Sequence, residues 1–103
     1  MPKVAILAKM SAQPGKRDAL VEALKPMIEA VGDEPGTEVY VLHTANDEPD
    51  VVWFYELYTD QDSLTAHAGS EAMKQLGGSL RDLLAGRPEL IMLGPAAAKG
   101  VAL

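Results

Sequence analysis

Glu56, Tyr58 and His67 are the residues of this chain whose types and spacing suit proton chemistry. An imidazole ordinarily titrates near pH 6.5, so it can accept a proton from a weak acid such as a phenol at neutral pH. A carboxylate beside it would orient or polarise it, and a tyrosine hydroxyl can hold a substrate oxygen. The segment Val52-Trp53-Phe54-Tyr55-Glu56-Leu57-Tyr58 carries four of the five aromatic residues of the chain and one carboxylate in its midst. A strand that is apolar on both faces must be covered on both faces. A carboxylate within it needs a partner or a polar pocket, because an unpaired buried charge is costly. Thr59 or Asp60 can cap the helix that follows, and that helix brings Leu64 and His67 back toward the strand. Each residue also has a plain reading. Glu56 is either a pocket carboxylate or a structural partner for a backbone amide or for His67. His67 is either a general base or a histidine that fixes the strand–helix corner. Tyr58 either positions a substrate or packs.

The elements that would position these groups follow from periodicity. Lys3 to Met10 reads as a strand, with Val4, Ile6, Ala8 and Met10 on one face. Pro14-Gly15 turns into a helix with Leu20, Ala23, Leu24, Met27 and Val31 at helical spacing, Lys16 and Arg17 among its wet residues, and Pro26 as an expected kink. Glu34-Pro35-Gly36 ends that segment. Thr37 to Thr44 and the Trp53 strand form a hairpin across the polar turn 46–50. A short helix runs to about Ala68. Ser70 and Glu71 start another, with Met73, Leu76, Leu80 and Leu83 inward and a bend or break expected at Gly77-Gly78. Pro88 to Leu93 is the last strand.

The order βαββαβ predicts a ferredoxin-like α+β fold, with helices on one face of an antiparallel sheet. Along the third strand, Val52, Phe54, Glu56 and Tyr58 share one face, and Trp53, Tyr55 and Leu57 share the other. The second set should not face water, and a second copy of the chain is its simplest cover. Trp53 and Tyr55 therefore read as dimer core, and His43 reads as a surface or interface histidine.

Bulk properties exclude several functions. With 103 residues the chain is one domain, expected over 1–95 with a tail at 96–103. Fifteen acidic against nine basic residues leave a net charge of -6. That balance argues against nucleic acid and against an anionic membrane surface. The chain has no cysteine, hence no disulfide and no thiolate, which fits a cytoplasmic location. Residues 1–4 open no secretion signal, and no apolar run is long enough to span a membrane. Only two histidines are present, with no paired-ligand spacing on one helix, so no metal is expected. Gly77-Gly78 is not a phosphate-binding loop, and no serine sits in a nucleophile elbow.

Taken together, the chain resembles the antibiotic biosynthesis monooxygenase family. The resemblance rests on Gln13-Pro14-Gly15-Lys16 after the first strand, the Glu34-Pro35-Gly36 turn and the Phe54-Tyr55-Glu56-Leu57-Tyr58 strand. The Asp62-Ser63-Leu64-Thr65-Ala66-His67 helix and the closing Ile91-Met92-Leu93-Gly94-Pro95 complete it. It implies a dimeric α/β barrel, that is, a homodimer with two sheets face to face and a pocket in each subunit between sheet and helices. It implies cofactor-independent oxidation of a small electron-rich aromatic, a quinol, phenol or polyketide, with dioxygen. His67 would be the base, Glu56 and Tyr58 its companions, and Phe54, Leu64 and Met73 substrate contacts. The same scaffold also carries isomerases or cyclases and non-catalytic binding or stress-response proteins. Haem-degrading relatives place an axial histidine on the later helix, and Met73-Lys74-Gln75-Leu76-Gly77 contains none. The resemblance therefore implies no haem, flavin or metal.

Overall fold

A computed structural model describes residues 2–103; Met1 lies outside the described residues. The order is β1 (Val4–Ser11), α1 (Arg17–Ala30), a 3-10 turn (Val31–Asp33), β2 (Thr37–Thr44), β3 (Val51–Tyr58), α2 (Gln61–Ala68), α3 (Glu71–Leu80) and β4 (Glu89–Leu93). The strands form one antiparallel sheet in the order β2-β3-β1-β4, so the expected ferredoxin-like α+β fold is present.

The sheet alternates as its sequence dictates. Val52, Phe54 and Tyr58 of β3 face the helices and are essentially fully buried, with Glu56 between them at 7 % exposure. They pack with Ile6 and Ala8 of β1, Leu20, Leu24 and Met27 of α1, and Leu76 and Leu80 of α3 in one core. Complete burial of a Phe or Leu side chain contributes about 1.5–3 kcal/mol, so this cluster dominates the stability.

Two local expectations need correction. Gly77-Gly78 does not interrupt α3, which runs unbroken from Glu71 to Leu80. A glycine in a helix costs about 1 kcal/mol relative to alanine. Burial of Leu76 and Leu80 on either side against α1 outweighs that cost. Arg17 does not sit idle on the wet side of α1. Its Nη1 donates to the carbonyls of Ala45 (2.9 Å) and Glu48 (3.1 Å) and so ties the β2–β3 loop to the start of the helix.

The face of the sheet away from the helices is apolar across all four strands. One row runs Val41, Tyr55, Leu7, Ile91, and the next runs Val39, Leu57, Ala5, Leu93. Val41, Ile91 and Leu93 are 41–46 % exposed, and Trp53 and Tyr55 are half-buried. On the helix side, the edge strand β4 leaves Leu90 and Met92 more than half exposed, because the helices do not reach it.

Candidate active site

Two chain corners, distant in sequence, meet to build the site. The first is the turn after the 3-10 segment, where Glu34 N–H donates to the Val31 carbonyl and Thr37 N–H donates to the Glu34 carbonyl. The second is the passage from β3 to α2. Asp60 caps α2, accepting from the Ser63 N–H and the Ser63 hydroxyl, both at 2.8 Å, and these bonds hold its carboxyl below the usual range. Thr59 N–H donates to the Gly36 carbonyl at 2.9 Å and joins the corners. The approach is so close that a Cβ on Gly36 would overlap the Ser63 side chain. Glycine is therefore required there, and the tight seat fixes where α2 can start.

That seat delivers His67, two turns along α2, to Glu34. His67 is 4 % exposed, and its Nδ1 lies 2.8 Å from Glu34 Oε1. The same carboxylate oxygen accepts a 2.8 Å bond from the Thr37 hydroxyl, just before an irregularity in the β2–β3 pairing between Thr37 and Val39. The partner of His67 is thus Glu34 and not Glu56. A carboxylate acceptor favours the tautomer with the proton on Nδ1, which leaves Nε2 as the basic nitrogen.

Glu56 has a different partner. The Tyr58 hydroxyl donates to Glu56 Oε1 at 2.5 Å, two residues along the same strand face. Burial pushes the Glu56 carboxyl above the ordinary carboxylate range, while the Tyr58 bond and the nearby His67 pull the other way. Burial, and then the Glu56 bond, push the Tyr58 phenol far above its ordinary value, so Tyr58 remains a proton donor.

Between sheet and helices lies a cavity of about 200 Å³. Glu56 and His67 are its polar walls; Phe54, Leu64, Met73 and Leu90 are among its apolar ones. Tyr58 stands behind Glu56, completely buried, and does not line the cavity. Tyr40 lines it instead. Its ring is 4.7 Å from that of Phe54 and 5.3 Å edge-on to His67, and its strand register sets it directly beside Glu56. Desolvation raises the Tyr40 phenol well above its ordinary value, with help from the Glu56 and Glu34 charges, which keeps it a donor.

Glu34 and Tyr40 are therefore the site residues that sequence reasoning missed. The signal for Tyr40 was present: Val39 and Val41 point to the outer face, so Tyr40 must point inward with Glu56. Nothing local marks Glu34 as a partner of His67, because the pairing exists only once α2 docks on the turn. His67 also borders a second, open depression of about 410 Å³, lined by Glu34, Gly36, Asp60 and Ser63 among others. The imidazole thus stands as a wall between an apolar cavity and a wet, acidic surface. Among the described residues no cluster of three or more His, Cys, Asp or Glu side chains could hold a metal ion. No helix among them is long and apolar enough to cross a membrane.

The sequence profile described as antibiotic biosynthesis monooxygenase matches residues 3–77. The chain belongs to this family. A candidate antibiotic biosynthesis monooxygenase from Caulobacter crescentus is 27 % identical and superimposes with a TM-score of 0.88 over 93 % of this chain and 92 % of that one. Another candidate of the same description, from Chloroflexus aurantiacus, is 26 % identical, with a TM-score of 0.81 over 97 % of this chain and 99 % of that one. A Nitrosomonas europaea protein of unknown function, 24 % identical with a TM-score of 0.86 over 99 % and 97 % of the two chains, shares the fold. No curated protein matches the chain.

The environment of Glu56 makes a stability prediction. Its native pKa is raised, so the native state holds this proton to higher pH than the unfolded chain does. The resulting stabilisation is complete below the ordinary carboxylate pKa and is lost as pH rises through the native value. Glu56→Gln cannot ionise and keeps an acceptor for Tyr58. Urea titrations at pH 4.5, 6 and 7.5 should show the variant gaining on the wild type as pH rises. A deficit of equal size at all three values would mean that burial does not penalise this carboxylate.

Proposed function

We propose that the cavity is an active site in which an electron-rich phenol or quinol is oxygenated by dioxygen without a cofactor. The observation that carries this reading is His67: a buried imidazole, held at Nδ1 by a carboxylate, forming one wall of an apolar cavity. Family membership supports the reaction class.

The chemistry closes with these residues. His67 Nε2 takes the phenolic proton, and Glu34 stabilises the imidazolium formed. The phenolate, a far better reductant than the phenol, gives one electron to dioxygen. The radical pair then combines at a ring carbon that bears hydrogen, giving a substrate peroxide. The imidazolium returns a proton to the terminal oxygen. Loss of the ring C–H proton, with cleavage of the O–O bond, leaves a carbonyl and releases water. Phenol plus dioxygen becomes quinone plus water, with no external reductant. Tyr40, and Glu56 in its protonated form, are donors for the oxyanions that develop, in a cavity dry enough for such bonds to be strong. Glu34 reaches the wet depression behind His67, with its side chain 22 % exposed, and gives the proton a route to and from solvent.

The working unit in this reading is a homodimer. The rows through Tyr55 and Leu57 carry apolar side chains on all four strands; Ala5 and Leu57 are already buried within the chain, but Val41, Ile91 and Leu93 are more than 40 % exposed. A second sheet packed on the first would cover them.

Oxygen uptake tests the chemistry. On a panel of naphthols and quinols, His67→Ala should cut turnover about 100- to 10,000-fold, as removal of a general base does. Circular dichroism of the variant should retain the folded signal. A lower melting temperature with unchanged uptake per folded molecule would make His67 structural. Uptake that is absent from the wild type across the whole panel would favour a binding module. The dimer is tested by Trp53→Glu, which should give monomer or aggregate in analytical ultracentrifugation. A fully folded, stable dimer of that variant contradicts the face-to-face arrangement.

A further inference from the structure

The cavity beside His67 is too small to be the whole substrate site. Small-molecule sites usually enclose about 300–1,000 Å³, whereas this one holds about 200 Å³, room for little more than the reacting ring. It does not end at its own walls. Met10, Met73, Leu76 and Pro88 line both the cavity and a neighbouring open groove of about 550 Å³. That groove runs between α3 and the segment 84–88.

The lining of the groove includes Arg81 and Arg87 and no acidic side chain. That is unusual in a chain with fifteen acids and nine bases. Neither arginine has an ion pair or a side-chain hydrogen bond among the described residues; Lys16, Lys74 and Lys99 are likewise unpaired there, but only the two arginines line the groove. Arg81 is the C-cap residue of α3, where a cation is favoured by the helix dipole whatever else it does. Arg87 has no such reason for its place. An apolar floor leading to two unpaired guanidinium groups suits a ligand with an aromatic body and an anionic end.

Resting on the oxygenase reading of the cavity, we propose that the substrate is an extended aromatic with a carboxylate arm. Its phenolic ring would enter the cavity beside His67. Its carboxylate would lie in the groove against Arg87 and Arg81. Guanidinium binds carboxylate through paired charge-assisted hydrogen bonds, stronger than neutral ones and sensitive to salt. The two arginines would then set specificity and binding, and take no part in the oxygen chemistry.

Calorimetric titration with 3-(5-hydroxy-1-naphthyl)propionate and with its carboxamide separates the two contributions, since the ring system is the same and only the charge differs. The carboxylate should bind about tenfold or more tightly than the amide, as expected of a charge-assisted contact. Arg87→Ala should remove most of that difference and Arg81→Ala part of it, while amide binding stays within twofold. Raising the salt to 0.5 M should weaken only the carboxylate. Equal affinity for the two probes overturns the proposal, as does a carboxylate preference that survives in the double variant, or failure of the carboxylate to bind saturably. Oxygen uptake on the same compounds is read separately. Charge-dependent binding without uptake upholds the groove and removes the oxygenase reading. Uptake on neutral naphthols without charge-dependent binding does the reverse.

Discussion

The contact between Glu34 and His67 is the interaction on which the site depends. It joins the turn before β2 to the helix after β3, and it buries an imidazole that would otherwise need another partner. Much of the local structure serves that contact. The Asp60 cap sets the start of α2, Gly36 lets that start press against the turn, and the Thr59 bond to the Gly36 carbonyl locks the two corners together. The Thr37 hydroxyl donates to the same Glu34 oxygen and helps to fix it. An unpaired buried polar group costs on the order of 1–3 kcal/mol, so these partners are needed for stability as well as for orientation.

Across the cavity, the sheet supplies groups of the opposite character. Glu34 is partly exposed and bonded to donors, whereas Glu56 is buried, and burial raises its carboxyl above the ordinary range. Two carboxyl groups flank one histidine: Glu34 at Nδ1 is placed to stabilise a cation, and burial raises the Glu56 carboxyl, which suits it to donate a proton. Tyr40 and Tyr58 extend the second role, one at the cavity wall and one behind it. The fold serves the chemistry by keeping the polar groups few and the remaining walls apolar.

Much of this was legible in the sequence, for physical reasons. The period-two pattern of β3 determines which side chains share a face, so the grouping of Phe54, Glu56 and Tyr58 could be read directly. Asp60 and Ser70 announce their helices because an N-cap satisfies orphan amides locally. The misreadings arose where tertiary packing overrules local preference. Gly77-Gly78 would weaken an isolated helix, but Leu76 and Leu80 anchor α3 to the core on either side. Arg17 looked like a solvated charge because its carbonyl partners lie in a loop 28 or more residues away. His67 was paired with the nearer carboxylate, on the neighbouring strand, when the true partner lies 33 residues upstream. Tyr58 was given the place at the cavity wall that Tyr40 occupies, because alternation reveals the face of a residue but not its depth.

Nitrogen-15 NMR of the His67 imidazole, in protein labelled on the histidine ring nitrogens, tests the central claim most directly. The other histidine, His43, lies exposed on β2, and a His43→Gln variant identifies its signals. If Glu34 holds Nδ1, neutral His67 must be a single tautomer, with the proton on Nδ1 and an unprotonated Nε2, and Glu34→Gln should release it toward a mixture. A proton on Nε2, or the averaged shifts of a freely exchanging imidazole in the unaltered chain, would contradict the account. His67 could not then serve as the poised base on which the rest of the site is built.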